Sequence, residues 1–149
     1  MLVSNLIVYL LQALLMLALA LTLYDADAPE APLSLLLVLT VGAVAFAGLG
    51  FGVTALIRSA DAVAAVVNVL VLPMSFLSGA FGSTEGYPAF LQAVSDVLPL
   101  TYFLDLTLTA YVEGRGPWDD PLAVAVVAAW GLAGYLVAAR RFTWQPRDR

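Results

Sequence analysis

Residues 33–81 read LSLLLVLTVGAVAFAGLGFGVTALIRSADAVAAVVNVLVLPMSFLSGAF, with two charges in the whole stretch, Arg58 and Asp61. An α-helix rises about 1.5 Å per residue, so ~20 apolar residues cross a ~30 Å hydrocarbon core. The stretch is too long for one crossing and suits two. The break at Arg58-Ser-Ala-Asp61 divides it into spans at Leu33–Ile57 and Ala62–Phe81. A tight helical hairpin fits there, with both charges at the membrane interface.

On the N-terminal side, Leu2–Tyr24 is a further uncharged run, interrupted only by Ser4, Asn5, Gln12 and Thr22. It is set off by Asp25-Ala-Asp-Ala-Pro-Glu-Ala-Pro32, whose acids and prolines mark a loop. On the C-terminal side, Leu122–Ala139 is the fourth run. Asp120 before Pro121 reads as a helix start, an acidic N-cap followed by proline at the first helical position. Pro88–Val112 differs, because Asp96, Pro99 and Asp105 interrupt it. Ala89–Leu98 is amphipathic. Leu100–Val112 is only about 20 Å long at helical rise and carries a polar stripe of Thr101, Asp105 and Thr109. Two short interfacial or re-entrant helices are expected there.

The sequence therefore predicts an all-α membrane protein with one transmembrane domain over residues 1–149. About four transmembrane helices (2–24, 33–57, 62–81 and 122–139) are joined by two short extracellular helices near 89–98 and 100–112. A tail follows at 140–149.

Composition agrees: 62% of residues are hydrophobic and 11% charged, against about 25% charged in ordinary soluble proteins. There is no Cys, His or Lys. That removes thiolate chemistry, the commonest metal ligand, an activating base for serine and the lysine of a phosphate-binding loop. No catalytic, cofactor or metal site is expected, and the net charge of −5 gives no reason to expect nucleic acid as a partner.

Arginine sets the expected orientation. Arg58, Arg140, Arg141, Arg147 and Arg149 fall on one side and Arg115 on the other, so the positive-inside rule puts both termini in the cytoplasm. Nine of the eleven acids then face outward, all but Asp61 and Asp148. Trp118 and Trp144 flank the last span as interfacial belt residues do. The first span begins at residue 2 without a basic flank. It reads as an uncleaved anchor or, preferably, as a point within a longer membrane protein.

Several residues stand out inside the spans. Gly48 and Gly52 form GxxxG, with Ala43 and Ala47 a second small pair. Small residues let backbones approach, either within the chain or at a seam between subunits. Pro73 removes a backbone donor and should kink its helix, leaving the Val69 carbonyl short of a partner. Asn68 and Ser78 lie about a turn to either side. Polar groups in a span face protein or a water-filled path, so Asn68, Pro73, Ser78, Gly79 and Asp105 are candidates for a translocation path or its gate. Interhelical hydrogen bonding is the plainer alternative. Asp96 and Asp105 could suggest an aspartyl dyad, but both fall in short pieces and read better as solvated or capping residues.

Pro73-Met-Ser-Phe-Leu-Ser-Gly-Ala-Phe81, followed further on by Leu98-Pro-Leu-Thr-Tyr102, resembles the type-2 ABC exporter permease family, which includes daunorubicin-type drug-resistance permeases. In that family a penultimate span ends in P-x-x-F-L-S-G-x-F, two short outer helices follow, and then a last span. Leu49–Ile57 also looks like the family's fourth span. The resemblance covers nearly the whole chain, and about the last two thirds of a typical member, which has six spans. It implies a permease subunit in the cell membrane that moves a drug, lipid or glycan outward. Such a subunit pairs with a second permease copy and docks a cytoplasmic ABC ATPase that binds the ATP. A non-transporting membrane scaffold is the alternative.

Overall fold

The computed structural model describes residues 2–57, 59–84 and 86–141. They form six helices: α1 (Leu2–Leu23), α2 (Pro32–Leu56), α3 (Ala60–Leu77), α4 (Ala89–Ser95), α5 (Pro99–Val112) and α6 (Pro121–Arg141). No strand occurs among the described residues. Arg58, the Asp61 side chain and Trp144, expected at the membrane interface, lie outside what is described.

The helix ends follow local chemistry. Pro32 and Pro99 open α2 and α5 at the position where a missing N–H costs nothing. Ser59 caps α3, its hydroxyl accepting from the Ala62 N–H at 3.3 Å. Asp120 caps α6, its carboxylate accepting from the Ala123 N–H at 2.9 Å. The amphipathic segment expected to reach Leu98 stops as a helix at Ser95. Leu98 precedes Pro99 and is extended, at φ −76° and ψ 133°, because the proline ring excludes the helical conformation from the residue before it.

α2, α5 and α6 make the core. Leu35 and Val38 of α2 bury against Leu106 and Ala110 of α5 and Ala123 of α6. Further along, α2 and α6 meet through glycine. A Cβ on Gly131 would come within 2.6 Å of the Ala45 Cα, and one on Gly52 within 2.8 Å of the Gly134 Cα. The pairs Leu35/Ala123, Ala45/Gly131 and Gly52/Gly134 rise together along both helices, so α2 and α6 run parallel. Tyr135 stitches the same seam, its hydroxyl donating to the Val44 carbonyl at 3.0 Å.

Parallel α2 and α6 require the chain to cross the bundle once between them. The upper end is taken as the one holding the α1–α2 loop, which the Tyr111 hydroxyl of α5 clamps by donating to the Asp27 carbonyl at 2.6 Å. α5 starts lower down. Phe103 stacks edge-on to Phe46, with ring centroids 5.5 Å apart, and fills the space beside Gly42, near the middle of α2. The end of α3 sits at the same height, because Ser78 bonds Thr101 of α5. α3 therefore climbs only part of the way, and α5 completes the crossing after a bend of 76° between α4 and α5.

The two short helices expected after the third run are present as α4 and α5, bent against each other as a broken span or a re-entrant loop is. The helix of the third run ends at Leu77, four residues short of Phe81, and its apolar part, Ala62–Leu77, is about 24 Å long at helical rise. Three helices (α1, α2 and α6) are long and apolar enough to cross a membrane whole. The described ends, residues 2 and 141, lie at the lower end together.

The surface is the inverse of a soluble protein's. No residue of α1 between Leu6 and Leu23 is buried, and Leu11, Leu15 and Met16 are at least 60% exposed. Contiguous apolar exposure on this scale needs hydrocarbon to cover it. The chain is a multi-pass membrane protein.

Candidate functional site

The junction where the end of α3 meets the α4–α5 corner is the most richly hydrogen-bonded part of the molecule. α3 ends there by design of its sequence. Gly79 takes φ +82°, the left-handed conformation that glycine adopts without penalty. The Ala80 N–H then donates back to the Ser75 carbonyl at 3.1 Å, and the Gly79 N–H to the Phe76 carbonyl at 3.4 Å. These two bonds are a Schellman stop. A side chain at 79 would be strained in this conformation, by about 1–2 kcal/mol. Gly79→Ala should lower thermal stability in detergent by that amount. Gly86→Ala, at a glycine with open space around it, should leave the melting temperature unchanged.

Three hydroxyls gather below this stop. Thr101 Oγ1 donates to the Ser95 carbonyl at 2.8 Å and lies 3.1 Å from Ser78 Oγ and 3.3 Å from Ser95 Oγ. Ser78 and Ser95 are buried. The cluster ties the end of α3 to both sides of the α4–α5 corner. Aromatic residues hold the corner from outside. Tyr87 donates to the Phe76 carbonyl at 2.8 Å, Tyr102 to the Asp96 carbonyl at 2.8 Å, and Trp130 of α6 to the Val97 carbonyl at 3.0 Å. The bonds from Tyr102 and Trp130 satisfy backbone carbonyls at the turn between α4 and α5, and the bond from Tyr87 adds a second donor to the Phe76 carbonyl at the end of α3.

Beside the junction is a cavity of about 500 Å³ between α1, α2, α3 and α5. Its wall is apolar, with Phe46, Val71, Met74, Leu100 and Phe103 prominent, and Tyr9 and Ser75 supply hydroxyls.

The residues singled out from the sequence divide into two groups. Ser78 and Gly79 belong to the junction, one as a hydrogen-bonding group and one as the helix stop. Asn68 and Pro73 are exposed on α3, Asp105 is exposed on α5, and none of their side chains has a hydrogen-bond partner among the described residues. α3 continues as one helix through Pro73. Gly48 and Gly52 lie in the α2–α6 seam. Asp96 and Asp105 form no acidic cluster among the described residues. Ser95, Trp130, Gly131 and Gly134 were not singled out. The two α6 glycines had a signal in their i, i+3 spacing on an apolar helix; Ser95 and Trp130 act through contacts that no local pattern encodes.

The junction joins Pro73–Phe81 to Leu98–Tyr102 in space, and a family model bears on both segments. The model described as ABC-2 type transporter matches residues 1–112, which is all of α1 to α5. The chain belongs to the ABC-2 type transporter family. A curated relative of this ABC-2 chain is Nodulation protein J of Rhizobium leguminosarum bv. viciae, 38% identical over 93 residues. That match covers 62% of the ABC-2 chain and 36% of the relative, so the chain spans about a third of the relative's length. No solved structure matches.

Proposed function

We propose that this ABC-2 chain is the membrane-spanning permease subunit, or a portion of one, of an ATP-driven exporter. The observation that carries the reading is the junction. The two stretches that carry the family pattern meet at Ser78 and Thr101, where a transmembrane path is broken and its polar groups are supplied with partners. Interrupted crossings with internally satisfied backbone are how membrane transporters place polar groups at depth. The lower end, holding residues 2 and 141, is the cytoplasmic one in this reading, because Arg140 and Arg141 stand in the last turn of α6 there. In this reading a separate cytoplasmic ABC ATPase binds and hydrolyses ATP, and two permease subunits pair in the cell membrane. A substrate of drug, lipid or glycan type moves outward. Asn68, Pro73, Ser78, Gly79 and Asp105 border the path or its gate.

The test is co-purification of the full-length protein from native membranes, with ATP-dependent uptake measured in inverted vesicles. An associated ATPase with a phosphate-binding loop and nucleotide-dependent uptake are expected. Finding neither would leave the scaffold reading in its place. Pro73 gives a sharper test. It denies the Val69 carbonyl its usual donor, so Pro73→Ala restores that bond and stiffens α3. Uptake should change several-fold while membrane insertion stays intact. Wild-type uptake would remove Pro73 from the mechanism.

A further inference from the structure

The cavity between α1, α2, α3 and α5 is left over by the transport reading. Asn68, Pro73, Ser78, Gly79 and Asp105, assigned above to the path or its gate, do not line it. Its volume of about 500 Å³ falls within the ~300–1,000 Å³ of sites for drug-sized molecules. No charged residue lines it among the described residues, so an ion would lose its hydration there and gain no counter-charge. Aromatic rings form much of the wall. Phe46 and Phe103 meet edge-on, and Tyr9 and Tyr135 join them.

Two hydroxyls decide what kind of molecule fits. Elsewhere in the bundle such groups find partners within the fold. Thr22, Thr40, Thr107 and Thr109 each donate to the carbonyl four residues back, and the Tyr135 hydroxyl reaches the Val44 carbonyl. Ser75 makes no such bond, and neither its side chain nor that of Tyr9 has a hydrogen-bond partner among the described residues. Both line the cavity. A hydroxyl without a partner in an apolar space costs free energy, and a wall this apolar gives water too few partners to hold it. A plain acyl chain would leave both hydroxyls unmet. We propose that the cavity binds a neutral aromatic ketone or a similar ring compound of drug size, whose oxygen accepts from Ser75 and Tyr9 while its rings lie against Phe46 and Phe103. A molecule seated there touches four helices at once and ties α1 and α3 to α2 and α5.

The site does not rest on the transport reading, and its test needs neither nucleotide nor a partner subunit. The probe is benzophenone, a neutral aromatic ketone that inserts into nearby C–H bonds under ultraviolet light and favours methionine. Met74 lines the cavity, whereas Met16, 68% exposed on α1, meets lipid. In native membranes holding the full-length protein, labelling of Met74 should saturate with benzophenone concentration, while labelling of Met16 rises in proportion to it. Fluorenone, a neutral ring ketone, should compete at Met74; hexadecane and the fluorenone carboxylate anion should not. Ser75→Ala and Tyr9→Phe should each raise the half-saturating concentration about three- to tenfold, the size of one hydrogen bond. Ala47→Phe, which puts a ring into the cavity from its wall, should abolish the saturable part. The two hydroxyl variants carry the test should Ala47→Phe fail to fold. The proposal is overturned by labelling of Met74 that rises in proportion as at Met16, by displacement with hexadecane or with the anion, or by an unchanged half-saturating concentration in either hydroxyl variant.

Discussion

Gly134→Leu is expected to remove most of the folded protein. The Cβ alone would meet the Gly48 carbonyl and come within 2.6 Å of the Leu49 nitrogen. These are backbone atoms inside a continuous helix and cannot swing aside as a side chain would. Overpacking costs about 1–3 kcal/mol where neighbours can adjust and more where they cannot, so a loss of about 3 kcal/mol or more is expected. α6 would have to leave α2, which takes with it the Tyr135–Val44 bond and the burial of Val127 and Ala123. The measurement is thermal unfolding in detergent followed by size-exclusion chromatography. Gly50→Leu is the matched comparison, since Gly50 lies on the same α2 helix with nothing within 4 Å of its Cβ position. A normal melting temperature for Gly134→Leu would mean that α2 and α6 do not meet as described.

The second large effect is expected at Thr101. Valine has nearly the same shape and lacks the hydroxyl. Thr101→Val removes the 2.8 Å donor of the Ser95 carbonyl, which keeps the Leu98 N–H at 3.0 Å, and takes a partner from the hydroxyls of Ser78 and Ser95, residues 6% and 4% exposed. A buried polar group stripped of its partner costs about 1–3 kcal/mol, so the junction should lose roughly 2–3 kcal/mol. Thr101→Ser keeps the hydroxyl and should recover most of it. Amide hydrogen exchange locates the effect: residues 95–103 should exchange faster in the valine variant, while α2 and α6 stay protected. Uniform loosening of the whole bundle would show that the cluster supports the fold at large and not the junction.

Much of the architecture was legible because apolar run length is a direct reading of membrane thickness. Leu2–Tyr24, Leu33–Ile57 and Leu122–Ala139 each return as one helix within a few residues. Asp120 and Pro121 open the last helix as the cap chemistry predicts. The exact end of the third helix, at Leu77 and not Phe81, was not legible. Composition alone runs on without a break from Ala62 to Phe81, and the stop rests on a single glycine taking positive φ at residue 79. The height at which α5 begins was equally hidden, because it depends on Phe103 fitting beside Gly42, a contact between residues far apart in sequence. Of the site residues, Ser78 and Thr101 could be named from local pattern, but their meeting is a property of the fold. The seam shows the same limit. Gly48 and Gly52 were visible as a pair, whereas their partners Gly131 and Gly134 are spaced by three and escape a search for spacing of four.

The seam has a mechanical consequence. Where helices touch through side chains, a change of rotamer lets one turn against the other by small steps. α2 and α6 touch through bare backbone at Gly48, Gly52, Gly131 and Gly134, and backbone offers no such steps. These two helices, with α5 wedged between their upper halves, form a stiff keel. α1 and α3 rest on the keel through lighter contact, so they are the helices that can shift against it at least cost.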